Sequence, residues 1–201
     1  MSIAENIARI RREMEAAAIA AGRDPGSVQL CAATKMNDAE AVREAIRGGV
    51  DCCGENRVQE LTAKLADDAY RGAPVHFIGH LQTNKVRQVV GKVDLIQSVD
   101  SLRLLEAIDR EAKKQGIVPI PGMELTTAED IHMVCLFPTL EDAMAFDAEI
   151  GTRRVLIPNR TDIFGNQYVT DGQDEIVDVE PYLLSNATTV SVEAAPALAE
   201  K

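Results

Sequence analysis

Apolar positions fall into two rhythms along the first 115 residues of the chain. Ser2 with Glu5 three residues on reads as a helix-capping box. Ile3, Ile7, Ile10 and Met14 then follow at helical spacing, with Arg9, Arg11 and Arg12 elsewhere on the wheel. This amphipathic helix ends near Gly22, and Asp24-Pro25-Gly26 is a turn. From Val28 onward, short apolar runs alternate with helical patterns. The runs predict strands at 28–34, 50–53, 75–79 and 94–98, and the patterns predict helices at 38–47, 55–67, 82–90 and 101–114. Strands recurring about every 20 to 25 residues with helices between them are βα units. Such units imply right-handed crossovers and either a closed barrel or an open doubly wound sheet, and the pattern alone does not choose.

Beyond Gln115 the rhythm breaks. Pro119 and Pro121 interrupt the apolar stretch 117–122, and proline removes a ladder donor, so no central strand is expected there. A strand is predicted at 132–137. Thr139 can cap a helix running from Leu140 to about Glu149, with Ala143, Phe146 and Ile150 on one face. Another strand is predicted at 154–157. Alternating stretches recur at 175–179 and 188–192.

Composition narrows this picture. The 201 residues are expected to form a single domain with a sizeable core. Hydrophobic residues make up 46% and aromatics 3%, with no Trp, so the core falls to Ala, Val, Ile and Leu, as in helix-covered parallel sheets. A net charge of −11 without a basic stripe argues against nucleic acid as a partner. No apolar run approaches the roughly 18 residues of a membrane span, and the start of the chain lacks the layout of a signal peptide. The expectation is a cytoplasmic protein, a monomer rather than an obligate oligomer. Cys31, Cys52, Cys53 and Cys135 form no C-x-x-C pair and read as buried reduced thiols. His76, His80 and His132 show no metal-ligand spacing, so no metal is expected.

Lys35 ends the first strand pattern. It shares a face with Ala33, Cys31 and Gln29, and the small residues below it leave room. Ligands of parallel α/β folds sit at the carboxyl ends of strands. A partly desolvated lysine there is an amine nucleophile able to form a Schiff base with an aldehyde. The alternative is a surface lysine that merely ends a strand. Three motifs follow it in order: Gly54-Glu55-Asn56, then HFIGHLQTNK over 76–85, then QSVDSLRL over 97–104. With Lys35 in its strand, this series resembles the pyridoxal 5'-phosphate (PLP) homeostasis protein family, which is related to the barrel domain of alanine racemase. The resemblance covers about residues 3–112 and becomes poor beyond Gln115.

The resemblance implies an α/β fold, a (β/α)8 barrel of the alanine racemase N-terminal-domain type, incomplete or rebuilt past residue 115. It implies one PLP-binding domain over 1–201, with 166–201 a divergent tail. It also implies PLP as cofactor, held as a Schiff base on Lys35, and a role in vitamin B6 and amino-acid homeostasis without established catalysis. Asn56, His80 and Ser98 stand at strand ends where they can contact the cofactor. Asn56 also suits a helix cap, His80 a bond to the next loop, and Asp100 and Ser101 read as caps. Lys85 is the second candidate amine. The family builds its phosphate cradle on its last two strand-loop units. Here those motifs are degraded, and the remaining donors are Thr139, Asn159, Thr161 and the backbone of Gly165. Racemase relatives draw a tyrosine from a partner subunit. Tyr70, Tyr168 and Tyr182 adjoin no recognised motif, so no catalytic residue is assigned. Two alternatives remain open: a PLP-dependent racemase or lyase of fold type III, or a relative that has lost PLP binding with its phosphate region.

Overall fold

The structure, a computed structural model, describes residues 2–170, 175–183 and 186–199. It divides into two compact units, Met1–Ile117 and Val118–Lys201. The first contains α1 (Ile3–Ala20), β1 (Cys31–Ala33), α2 (Ala39–Arg47), β2 (Cys52–Glu55), α3 (Val58–Ala66), β3 (Val75–Phe77), a 3-10 helix (Thr83–Gln88), β4 (Leu95–Ile96) and α4 (Leu102–Lys114). The four strands form one parallel sheet in the order β1-β2-β3-β4. The fold is therefore α/β with a parallel sheet, and the four predicted strands are adjacent in chain order.

Local chemistry explains the helix starts. The Ser2–Glu5 capping box is formed in both directions. Asp38 caps α2 and Ser101 caps α4 through their side-chain oxygens. Arg11 of α1 donates to the Gly49 carbonyl and pairs with Asp51 at 2.6 Å, which ties this helix to the approach to β2. The predicted helix at 82–90 is a 3-10 helix instead. Buried Val86 lies within it and buried Val89 just past its end, three residues on, and a three-residue turn stacks them on one line. β-Branched residues lose little by leaving the α form.

One face of the sheet carries the core. Cys53, Val75 and Phe77 pack there with Val42, Leu61, Val89 and Leu104 from the helical segments. Side chains alternate along a strand, so Cys31, Cys52 and His76 project from the other face. Cys31, Ala33 and Leu95 are exposed on it. The Cys31 thiol was expected to be buried.

The second unit pairs its strands differently. β5 (Gly122–Thr126) and β6 (His132–Leu136) are antiparallel, as are β7 (Tyr168–Thr170) and β8 (Ile176–Val179). The reason for the first pair is length. Residues 127–131 are all that join β5 to β6, whereas a parallel crossover needs a dozen or more residues. β5 begins just past Pro121, where neither proline blocks the ladder. α5 (Leu140–Gly151), capped by Thr139, places Ala143, Phe146 and Ile150 in a small core with Leu125 and Phe137. Short helices α6 (Thr161–Phe164) and α7 (Ala195–Ala199) complete the unit. The strand expected at 154–157 is absent, and the alternating stretch 188–192 forms no named strand. Among the described residues these segments make isolated bridges, Arg154 with Thr188 and Pro158 with Tyr182, and Pro158 has no N–H to extend a ladder. No helix among the described residues is long and apolar enough to cross a membrane.

Candidate functional site

The carboxyl ends of the four parallel strands lie along one edge of the sheet. Lys35 sits two residues past the end of β1, and its side chain is exposed rather than partly desolvated. Its ammonium makes no ion pair among the described residues of its unit. The backbone around it is fixed. Met36 adopts φ +62°, a left-handed conformation that costs a non-glycine residue about 1–2 kcal/mol. The Met36 N–H donates to Glu60 Oε2 at 2.8 Å, and the Lys35 carbonyl accepts from Asn37 Nδ2 at 3.0 Å. The bond from Met36 is the main cause holding the Glu60 carboxyl below its usual range, and Lys64 adds to it.

Behind Lys35 lies a buried polar network on the core side of the sheet. Thr34 donates its hydroxyl to Glu55 Oε1 at 2.5 Å. The Lys64 ammonium donates to the Thr34 carbonyl at 2.7 Å and to Glu55 Oε1 at 2.5 Å. Glu55 is fully buried, and Thr34 and Lys64 nearly so. The other Glu55 oxygen and the Tyr70 hydroxyl are buried without a partner. Burial first, and the Glu55 carboxylate next, push the Tyr70 phenol above its ordinary value. The network anchors the end of β1 through Thr34, the residue that precedes Lys35. In the sequence, Glu55 stands out only as the middle residue of the Gly54-Glu55-Asn56 motif. A charged residue at the last position of a four-residue strand, with Lys64 nine residues on, is the signal that locates this pair.

Asn56 and His80 come together. They line a cavity of about 520 Å³ with Glu60, Gln82 and Lys85, among others. Glu60 links this cavity to Lys35 through Met36. Asn56 does not cap α3, whose first flanking residue is Arg57 with no side-chain cap bond. Its Oδ1 is buried and unpartnered, a position that a hydrogen-bond donor on a ligand would satisfy. The close approach of Gly79 sets this geometry, since a Cβ there would sit 2.2 Å from the Asn56 carbonyl oxygen. His80 Nδ1 lies 2.9 Å from Asp100 Oδ2, so Asp100 orients the imidazole while Ser101 caps α4. Ser98 donates its hydroxyl to the Gly79 carbonyl. It thereby ties the ends of β3 and β4 rather than facing a ligand.

The four candidate phosphate donors lie in the second unit, and most are committed. The Thr139 hydroxyl donates to Asp142 Oδ2 and accepts from the Asp142 N–H as a helix cap. Asn159 Nδ2 donates to the Gly165 carbonyl at 2.8 Å, leaving a buried acceptor, Oδ1, with no partner. The Gly165 N–H donates to the Thr161 carbonyl. The Thr161 hydroxyl is left of the four. The first-unit residues thus suit the amine and ring-edge half of a PLP site, whereas of the four expected phosphate donors only the Thr161 hydroxyl is uncommitted among the described residues.

On the opposite face of the sheet from the core, one grouping was not expected. Ligand atoms of Cys31, Cys52 and His76 all lie within 4.8 Å of one another. Their sequence spacing is that of successive βα units, which no compact motif reveals.

No protein-family model matches the chain. A pyridoxal phosphate homeostasis protein of Pseudomonas aeruginosa is 40% identical over 119 residues, covering 59% of this chain and 51% of that protein. One of Aquifex aeolicus is 38% identical over 118 residues, covering 59% of this chain and 52% of that protein. A crystal structure of an unknown protein from Bifidobacterium adolescentis superposes with a TM-score of 0.53 at 42% identity, covering 58% of this chain and 51% of that one. The chain spans about half the length of the curated relatives it matches. Over that half, the chain is similar to the pyridoxal phosphate homeostasis proteins.

Proposed function

We propose that this chain binds PLP and acts in PLP, vitamin B6 and amino-acid homeostasis, with no turnover reaction of its own. The observation that carries the reading is the end of β1. There an exposed primary amine, Lys35, follows a buried network that fixes its backbone, and the next residue, Met36, bonds Glu60, which lines the cavity together with Asn56, His80 and Lys85; Lys35 itself is not in that lining. PLP supplies an aldehyde that condenses with a primary amine, so the cofactor would be held through a Schiff base to Lys35. Asn56 Oδ1 would accept from the phenolic hydroxyl. His80, steadied by Asp100, would line the ring, and Ser98 would hold the strand ends that shape the mouth. The names of the curated relatives support PLP as the ligand. The four βα units read as the first half of a (β/α)8 barrel of the alanine racemase N-terminal-domain type, in keeping with the half of the relatives' length that is covered. The compartment proposed is the cytoplasm and the state a monomer.

The committed donors on Thr139, Asn159 and Gly165 favour a second reading, a relative whose PLP binding has weakened with its phosphate region. Each charge-assisted hydrogen bond to phosphate is worth roughly 1.5–3 kcal/mol, so losing two costs on the order of two to four powers of ten in affinity. Titrating PLP and pyridoxal against the wild-type chain, Lys35→Arg and Thr161→Val tests both readings. The proposal expects saturable PLP binding lost in Lys35→Arg, with a small preference over pyridoxal. No saturable binding by the wild type would establish the second reading. A large preference for PLP would show that a phosphate cradle exists after all.

A further inference from the structure

Cys31, Cys52 and His76 stand on three neighbouring strands. Cys31 and Cys52 are register partners on β1 and β2, and His76 lies on β3, which pairs with β2. Their strand neighbours Ala32, Cys53, Val75 and Phe77 all pack toward the core. Alternation therefore places the three side chains together on the opposite face. We propose that they form a binding site for a thiophilic cation of the zinc class, with a fourth position open to solvent.

Three observations support this. The first is proximity, with all three ligand atoms within 4.8 Å of one another. Small rotations about χ1 and χ2 close that spread to the Zn–S and Zn–N distances of about 2.3 and 2.0 Å. The second is the donor set. Two sulfurs and an imidazole, with no carboxylate, suit zinc or a similarly soft cation and disfavour magnesium or calcium. The third is support around the ligands. One ring nitrogen of His76, Nδ1, lies 3.0 Å from Gln97 Nε2. An outer amide that fixes the ring and its tautomer is the usual companion of a metal-bound histidine; turning the amide would let its oxygen accept from Nδ1–H. Access fits as well. Cys31 is exposed and His76 half-buried, whereas Cys52 is buried, so a cation can enter from the Cys31 side and finish against a closed floor.

The site is separate from the lysine. Cys31 lies inside β1, whereas Lys35 sits in the turn two residues past the end of that strand and is not part of the grouping. It therefore stands or falls independently of PLP.

The test uses the full chain, reduced and freed of metal under anaerobic conditions, without PLP. Cobalt(II) serves as the spectroscopic probe, and zinc(II) is titrated in competition with a chromophoric chelator. The expected result is one equivalent bound, with a thiolate-to-cobalt charge-transfer band and the visible bands of tetrahedral cobalt. Both should vanish in Cys31→Ser. That residue is exposed, so the loss cannot be ascribed to unfolding, and circular dichroism verifies the fold. His76→Gln should weaken zinc binding by tenfold or more, and Cys135→Ser should leave it unchanged. Absence of the charge-transfer band in the wild type would overturn the proposal. So would a band that survives Cys31→Ser.

Discussion

Lys64→Met is the most informative single substitution for the architecture behind the amine. It keeps the length and most of the volume of the side chain but removes the ammonium. Lys64 donates to Glu55 Oε1 at 2.5 Å and to the Thr34 carbonyl at 2.7 Å, and its side chain is 7% exposed against 0% for Glu55. The second Glu55 oxygen already lacks a partner. With Lys64 gone, the buried carboxylate keeps only the Thr34 hydroxyl. Breaking a buried pair from one side typically costs about 3–5 kcal/mol, because the remaining charge is left uncompensated. For a unit of roughly this size, 1 kcal/mol corresponds to about 4 °C in Tm, so the midpoint should fall on the order of 10–20 °C. Urea unfolding measures the free energy directly, and the double variant Glu55→Gln/Lys64→Met should recover most of the loss because no charge is then stranded. The freed Thr34 carbonyl should also loosen the backbone before Lys35 and weaken PLP uptake. A loss below about 1 kcal/mol, the range of an exposed ion pair, would refute the reasoning.

Three further predictions follow from other parts of the first unit. Gly79→Ala drives a Cβ to within 2.2 Å of the Asn56 carbonyl oxygen; it should cost about 1–3 kcal/mol in urea unfolding and weaken ligand binding at Asn56, and a neutral effect on both would contradict the packing. Burial is the main cause raising the thiols of Cys53 to about 11 and Cys52 to about 12, from an ordinary value of 9.0. The folded chain thus holds these protons more tightly than the unfolded chain, so this contribution is full below pH 9 and is lost as pH rises through 11 and 12. Chemical denaturation in the reduced state should show stability declining over that window, more weakly in Cys53→Ala; a flat profile would show the thiols to be solvated. Lys35→Arg should leave the unfolding free energy in urea within about 0.5 kcal/mol of wild type, since an exposed side chain contributes little packing, and a large loss would mean that Lys35 has a structural role.

The parallel sheet was legible because its signals are local and repeated. Apolar runs at βα spacing, with caps at Ser2 and Ser101, place four strands and their helices in order. Gly79 and Asn56 were legible as motif members, but the clash that makes the glycine necessary is a contact between two strand ends. The antiparallel pairing of β5 and β6 was hidden because Pro119 and Pro121 argue against a strand only up to Pro121, while β5 begins at Gly122 and its partner is set by the short 127–131 connection. The strand pattern at 154–157 failed for a different reason, since apolar residues there have no continuous partner to pair with. Long-range side-chain groupings were the least legible. The Glu55–Lys64 pair and the Cys31, Cys52 and His76 grouping depend on which strand faces coincide, and register is a property of the sheet rather than of any one segment.

Covalent capture tests the central claim most directly. The full chain is incubated with PLP, reduced with borohydride, digested, and its peptides are mapped by mass spectrometry. The account predicts a single phosphopyridoxyl label on Lys35, with an absorbance band that disappears on reduction and no label at that peptide in Lys35→Arg. Label concentrated on Lys85, or scattered over surface lysines with none preferred, would contradict it.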